Sequence, residues 1–288
     1  FLPPKILEEK LRKMLAEDIG LGDMTTALIV PAESVSEAEV IAKEAGVIAG
    51  IEEAKILLES LNLKVETFVR DGDNIKPKQV LMKISGNTQA ILSVERTLLN
   101  LISRMSGIAT TTKKLTEKIK KAGLKTRIAC TRKTAPGLLY FDKKAVLIGG
   151  GDPHRLHLDD MILIKDNHIA VAGGVENAIK KAREKVSFSK KIEVEVSKIE
   201  DVVTAAEAGV DIIMLDNFSP KQIETAINLL KQANYFGKVL LEASGGITAD
   251  HLLDFASTGV DIVSLGEITQ SVKALDVSLE ILNFKVPA

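Results

Sequence analysis

Five apolar runs in this chain stop on charged, hydroxylated or glycine tips. They are MILIKDNH (161–168), IEVEVS (192–197), IIMLDN (212–217), VLLEASGG (239–246) and IVSLGE (262–267). Between them lie stretches long enough for one helix each, such as VENAIKKAREKV (175–186) and PKQIETAINLLKQA (220–233). Strand-length apolar runs alternating with helical patterns predict βα units and a parallel sheet. The tips carry Lys165, Glu195, Asp216, Ser244 and Gly266 in succession, and in a parallel sheet they share one rim. In α/β barrels that rim holds the chemistry. Two more strands are predicted upstream, TRIACT (126–131) and KAVLIGG (144–150), which brings the count to seven. No eighth run is visible. The fold class expected is α/β, with a seven-stranded, incomplete α/β barrel.

The earlier part of the chain has another rhythm. KILEEKLRKMLAEDIG (5–20) places Ile6, Leu7, Leu11, Met14 and Leu15 at helical spacing, and Gly20 is a natural stop. SEAEVIAKEAG (36–46) and LKVETFVRDGD (63–73) alternate as strands do, with a helix-like IEEAKILLESL (51–61) between them. DGDNIKPKQVLMKISG (71–86) is rich in turns and ends as a strand. A long helix follows, in which Leu98, Leu101, Ile102, Met105, Ile108 and Ala109 form one apolar stripe. Arg96, Asn100, Ser103 and Arg104 fall opposite it, on what reads as a solvated face. After Gln270 the apolar positions Val272, Leu275, Val277, Leu279 and Ile281 suggest a return to the N-terminal module. The expected domains are an N-terminal α/β module of residues 1–110 plus 271–288, and a barrel of residues 111–270.

Bulk composition excludes several functions. The 38 basic and 39 acidic residues leave a formal net charge of −1, so nucleic acid is not an expected partner. The single cysteine, Cys130, permits no intramolecular disulfide and fits a reducing compartment. No apolar run approaches the roughly 20 residues of a membrane span. FLPPKILEEKLRKML also lacks a secretory core with a cleavage site. A cytoplasmic protein is expected.

Several residues at the strand tips point to anions. In TRKTAPG (131–137), Arg132 and Lys133 end a strand just before a proline turn. Two adjacent cations there repel each other unless an anion lies between them. Arginine suits a planar carboxylate and lysine acts as a point charge. GGGDPHRLHLDD (149–160) offers a glycine-rich loop followed by His154 and Arg155. The spacing of His154 and His157 suits a metal, but no further clustered Cys or His completes a zinc set. Lys165 ends an apolar strand, and its neighbour Asp166 points the other way. It should therefore meet a distant acid or an anionic ligand. Glu193 and Glu195 share a strand face, and Glu195 and Asp216 end adjacent strands. Such acids can bind magnesium or ribose hydroxyls, steady a cationic sugar, or pair with Lys165. LEASGG (241–246) and SLGE (264–267) close the last two strands, where α/β barrels commonly hold phosphate on glycine turns.

Taken in order, these motifs resemble the quinolinate phosphoribosyltransferase family. The matching stretches are ERTLLNLISRMSGIAT (95–110), TRKTAPG, GGGDPHR, ILIKDNHI (162–169), EVEVS (193–197), MLDNF (214–218), LEASGG and SLGE, with GLGDMTT (20–26) near the start. The resemblance implies an N-terminal α/β sandwich domain joined to a seven-stranded barrel. It implies a homodimer with shared active sites, the substrates quinolinate and phosphoribosyl pyrophosphate, and Mg2+. On that reading Arg96 reaches a neighbouring subunit's site, and Arg132, His154 and Arg155 hold the quinolinate carboxylates. Lys133 and Lys165 lie near substrate and pyrophosphate. Glu195 and Asp216 serve the ribose and magnesium. Ser244, Gly245, Gly246, Leu265 and Gly266 bind the ribose 5-phosphate. Two departures bear on substrate orientation: Pro153 where the family often has Asn, and Leu139 where it often has Arg. An enzyme of the same shape acting on another aromatic acid would need fewer carboxylate partners. A phosphometabolite-binding regulator would gain nothing from acids at 195 and 216.

Overall fold

A computed structural model describes residues 2–286. The chain divides into two compact units. The first comprises the residues up to Thr111, Leu147–Gly149, and the chain from Val272 onward, and the second comprises Thr112–Val146 and Gly150–Ser271.

In the first unit the elements are α1 (Pro4–Ile19), α2 (Met24–Ile29), β1 (Val35–Ala42), β2 (Gly46–Val47), α3 (Ile51–Glu59), β3 (Lys64–Thr67), β4 (Asn74–Ile75), β5 (Val80–Asn87) and α4 (Thr88–Lys121). Helix α4 continues past Thr111 into the second unit. The last strand of the chain, β12 (Val277–Lys285), also belongs to this unit. Its main sheet is antiparallel in the order β12-β1-β5-β3. Strand β1 buries Ser36, Ala38, Val40 and Ala42 and turns Glu37, Glu39 and Ile41 the other way, as a period of two dictates. Helix α1 buries Leu7, Leu11 and Leu15. Of the predicted stripe only Ile6 is exposed, and Met14 lies at the margin. Gly20 ends α1 with φ +59°, as expected of a helix stop. In α4 the stripe Leu98, Leu101, Ile102, Met105, Ile108 and Ala109 is buried throughout, whereas Arg96 and Asn100 are exposed.

The return of the chain requires a glycine. A side chain at Gly107 would place its Cβ 2.1 Å from the Lys273 carbonyl oxygen, so the backbones can meet only there. Leu275 N–H donates to the Ser103 carbonyl at 2.9 Å in the same contact. Gly107→Ala is therefore expected to destabilise this unit by about 1–3 kcal/mol, as overpacking does. A calorimetric melting temperature unchanged from the parent would contradict the close approach.

In the second unit β6 (Arg127–Cys130), α5 (Leu139–Ile148), β7 (Ile162–Ile164), α6 (Asp166–Ala172), α7 (Val175–Lys185), β8 (Ile192–Val196), α8 (Glu200–Glu207), β9 (Ile212–Asp216), α9 (Pro220–Gln232), β10 (Leu240–Ser244), α10 (Leu252–Ala256), β11 (Ile262–Leu265) and α11 (Glu267–Gln270) follow one another. The six strands are parallel, in the order β6-β11-β10-β9-β8-β7. Helix α9 shows how the connections pack: Ile223, Ala226, Ile227 and Leu230 face inward, and Ser219 with Gln222 forms a capping box at its start.

One predicted strand is wrong. KAVLIGG falls mostly in α5, which begins at Leu139 and buries every residue from Phe141 to Val146. A four-residue apolar run cannot by itself distinguish a strand from a buried helix. What remains of a seventh strand is one parallel bridge from Asp152 to Ala129, on the side of β6 away from β11. It brings the chain ahead of β7 alongside the opposite edge of the sheet, which is how an incomplete barrel closes.

Candidate active site

Because the strands are parallel, their C-terminal ends gather on one side, and a cavity of about 610 Å³ opens there. Its lining takes Arg132 and Lys133 from beyond β6, His154 and Arg155 from the loop ahead of β7, and Lys165 from the end of β7. Glu195 comes from β8, Asp216 from β9, Ser244 from the end of β10, Gly245 and Gly246 from the turn after it, and Gly266 from beyond β11. A smaller cavity of about 340 Å³ lies at the opposite, N-terminal ends of β6, β10 and β11. The larger cavity is on the side where α/β barrels place their chemistry.

The cations stand close enough to interact. Burial, and then the charge of Arg132, pushes the Arg155 guanidinium below its usual pKa. Two arginines that repel each other in a cavity form a receptor for anions. Lys165 is half-exposed and its ammonium pairs with Glu195 at 2.7 Å, the distant acid expected from the sequence. Asp216 stands two residues further along than the position level with Glu195, since Glu195 is paired in register with Met214. Its carboxyl is pushed up by burial and by the charge of Glu195, against the weaker pull of Lys165 and Lys133. Asn217 Nδ2 donates to Asp216 at 2.8 Å and so fixes its direction.

The glycine turn after β10 is shaped by its neighbour. Gly245 has φ +95°, and a Cβ on it would lie 2.4 Å from Asn217 Oδ1. Asn217 N–H donates to the Ser244 carbonyl at 2.8 Å, and Ser264 Oγ donates to Ser244 Oγ at 2.9 Å. Only glycine fits where the turn folds this tightly against Asn217. Leu265, by contrast, is completely buried and is not part of the lining. Arg96 is exposed on α4, in the other unit.

Three residues give the floor of the cavity a character the sequence had not suggested. His154 Nε2 lies 3.2 Å from Glu242 Oε2 and 3.3 Å from Glu193 Oε2. Both glutamates are fully buried. Burial disfavours the charged ring, but the two carboxylates outweigh it and push the His154 pKa up to about 10. Opposing them, the Arg155 amide hydrogen points at Nδ1 from 2.8 Å, so the geometry is that of a ring with its hydrogen on Nε2. Burial, and then the charge of Glu242, pushes the Glu193 carboxyl up, against the pull of His154. The three side chains are near enough to hold a cation. Ligation through Nε2 would leave the ring hydrogen on Nδ1, however, where the Arg155 amide already points. His157 joins no such group among the described residues. The available signal for Glu242 was the period of two, which puts it on the same strand face as Ser244.

Family models match both parts of the chain. Residues 23–106 match the N-terminal domain of quinolinate phosphoribosyl transferase, and residues 108–280 match its C-terminal domain. The chain belongs to the quinolinate phosphoribosyltransferase family. It is 43% identical to the probable nicotinate-nucleotide pyrophosphorylase [carboxylating] of Methanothermobacter thermautotrophicus, covering 96% of this chain and 99% of that one. It is 38% identical to the nicotinate-nucleotide pyrophosphorylase [carboxylating] of Homo sapiens, covering 97% and 93%. The solved nicotinate-nucleotide pyrophosphorylase from Francisella tularensis is 38% identical and superposes with a TM-score of 0.88 over 98% of both chains. An incomplete α/β barrel accompanied by a separate α/β unit is thus the architecture of a quinolinate phosphoribosyltransferase, as the strand tips foretold.

Proposed function

We propose that the strand-tip cavity joins quinolinate to phosphoribosyl pyrophosphate, giving nicotinate mononucleotide, pyrophosphate and carbon dioxide. This is the pentosyl transfer of the family, a step in making NAD. The observation that carries the reading is the grouping of Arg132, Lys133, Arg155 and Lys165 around one cavity of a chain that is nearly neutral overall. Quinolinate is a pyridine with two carboxylates, and its co-substrate is a polyanion. A near-neutral protein binds both only by concentrating cations in one place.

Arg132 and Arg155 hold the carboxylates in this reading, and the glycine turn at Gly245 and Gly246, with Ser244 and Gly266, receives the 5-phosphate. The pyridine nitrogen then attacks the anomeric carbon as the bond to pyrophosphate breaks. Lys133 and Lys165 offset the charge on the departing group, and Glu195 or Asp216 faces the cationic sugar. The product nitrogen carries a positive charge, so the adjacent ring carbon can keep the electron pair when carbon dioxide leaves, and it then takes up a proton. The protein supplies position and electrostatics, and no covalent intermediate is needed.

Glu195 and Asp216 also fit magnesium. They set two like charges at the cavity wall, and Lys165 pairs with only one of them. One or two carboxylates together with substrate phosphates is the usual magnesium set. The ion would supply neutralisation of the pyrophosphate charge. A homodimer in which Arg96 completes a partner's site belongs to the same proposal. So does a cytoplasmic setting, which the single buried thiol of Cys130 supports. Among the described residues no helix is long and apolar enough to cross a membrane.

The direct test mixes the protein, magnesium, phosphoribosyl pyrophosphate and quinolinate and assays for nicotinate mononucleotide. Arg132→Ala and Arg155→Ala are expected to raise the KM for quinolinate about ten- to a hundredfold, the loss of one charged hydrogen bond. The KM for phosphoribosyl pyrophosphate should move much less. Equal weakening of both substrates would count against the carboxylate assignment, and turnover of a monocarboxylic acid alone would redirect the substrate.

A further inference from the structure

The loop that presents Arg155 is tied down at every residue. Asp152 N–H donates to the Ile128 carbonyl at 2.8 Å, and the Asp152 carbonyl accepts from Cys130 N–H at 3.2 Å. The Pro153 carbonyl accepts from the ammonium of Lys143, a lysine that is 1% exposed. His154 adopts φ +53°, a backbone conformation that residues other than glycine rarely take. Its N–H donates to Asp152 Oδ1 at 2.7 Å. Its ring then lies between two parts of the protein, Nδ1 accepting from Arg155 N–H and Nε2 reaching Glu242.

Both ring nitrogens of His154 are therefore engaged by the protein itself. The buried acid beneath it also needs a reason. An apolar residue would fill β10 at this position without the cost of burying a carboxylate. The Nε2–H has one hydrogen, and the hydrogen bond goes to Glu242, while neither Glu193 oxygen has a hydrogen-bond partner. Glu242 is thus the hydrogen-bond partner that sets the rotation of the imidazole, with the Glu193 carboxylate adding its charge beside it at 3.3 Å.

We propose that Glu242 is a positioning residue. From beneath the cavity it orients the His154 ring, the ring fixes the Arg155 amide through Nδ1, and Arg155 is thereby aimed at a substrate carboxylate. The proposal rests on the assignment of Arg155 to the carboxylate and deepens it. Glu242 lies at the floor of the cavity and is fully buried, so it acts on the affinity for the aromatic acid through His154.

The test is steady-state kinetics with both substrates varied. Glu242→Ala should raise the KM for quinolinate about tenfold, as expected when a buried charged hydrogen bond is removed. The KM for phosphoribosyl pyrophosphate should stay within about twofold, since the glycine turn is untouched. Glu242→Gln, whose carbonyl still accepts from Nε2–H, should recover most of the affinity. With His154→Ala already in place, adding Glu242→Ala should raise the KM for quinolinate no further. If the alanine variant does not fold, Glu242→Met fills the space without an acceptor and is read the same way. Equal rises in both KM values, a glutamine variant no better than alanine, or additive effects in the double variant would each overturn the proposal. Arg155→Ala separates the two levels. If it leaves the KM for quinolinate unchanged, the carboxylate assignment has failed and the proposal falls with it. If it raises that KM while Glu242→Ala does not, only the positioning role has failed.

Discussion

Lys133→Ala and Lys165→Ala are each expected to lower kcat about a hundred- to a thousandfold, the usual cost of removing one preorganised group that stabilises a transition state. Both lysines line the cavity and are exposed, so little of the fold depends on them. Substitutions at such positions usually leave stability nearly unchanged. Lys165 has a second role. Its ammonium offsets the charge of Glu195 at 2.7 Å, and without it Glu195 and Asp216 face an incoming polyanion with one cation fewer. Lys133 is held by its backbone, since Thr269 Oγ1 donates to its carbonyl at 2.8 Å and its N–H donates to Thr131 Oγ1 at 3.2 Å. Its position should thus survive loss of the side chain. Stopped-time assays of nicotinate mononucleotide, with circular dichroism as a control, measure the effect. Near-parental turnover in both variants would show that the rim cations are not the catalytic ones.

The second large effect is a loss that another loss repairs. Arg96→Ala alone should abolish most activity although the side chain is exposed on α4, facing away from the buried stripe of its own helix. Such an arginine affects catalysis only if something docks on that face, and the proposed dimer supplies it. Mixing an Arg96→Ala chain with a Lys165→Ala chain then gives dimers in which one site carries both defects and the other carries none. Random exchange makes half of the dimers mixed, so about a quarter of parental activity should return. Verified subunit exchange without any recovery would leave Arg96 a solvated surface residue.

Much of this site was legible because a charge at the end of an apolar strand has few explanations. Lys165 following MILI required either a distant acid or an anion, and Glu195 is that acid. The return of the tail was legible from its alternation, and it pairs with β1. The segment 144–150 was not legible as a helix, because AVLI is equally compatible with a strand when Leu139–Lys143 is not counted with it. Glu242, and the pairing of His154 with it, escaped for a different reason. Their meaning lies in a contact between residues far apart in the chain, on which no local period bears. The same holds for Leu265, whose place in a motif says nothing of which way its side chain turns.

Strand β12 has a consequence for how the chain is made. It pairs with β1 along its length, from Val35 opposite Lys285 to Ala42 opposite Val277, and so covers the edge of β1 that β5 does not. Synthesis runs from the N-terminus, and domains generally fold as they emerge. Here the first unit to leave the ribosome is the last that can be finished. All of the βα repeat has to be translated before the strand that completes the opening sheet exists. Until then β1 presents an unpaired edge, the kind of surface through which nascent chains associate with one another. The sheet of the second unit has no such dependence, since all six of its strands lie between Arg127 and Leu265.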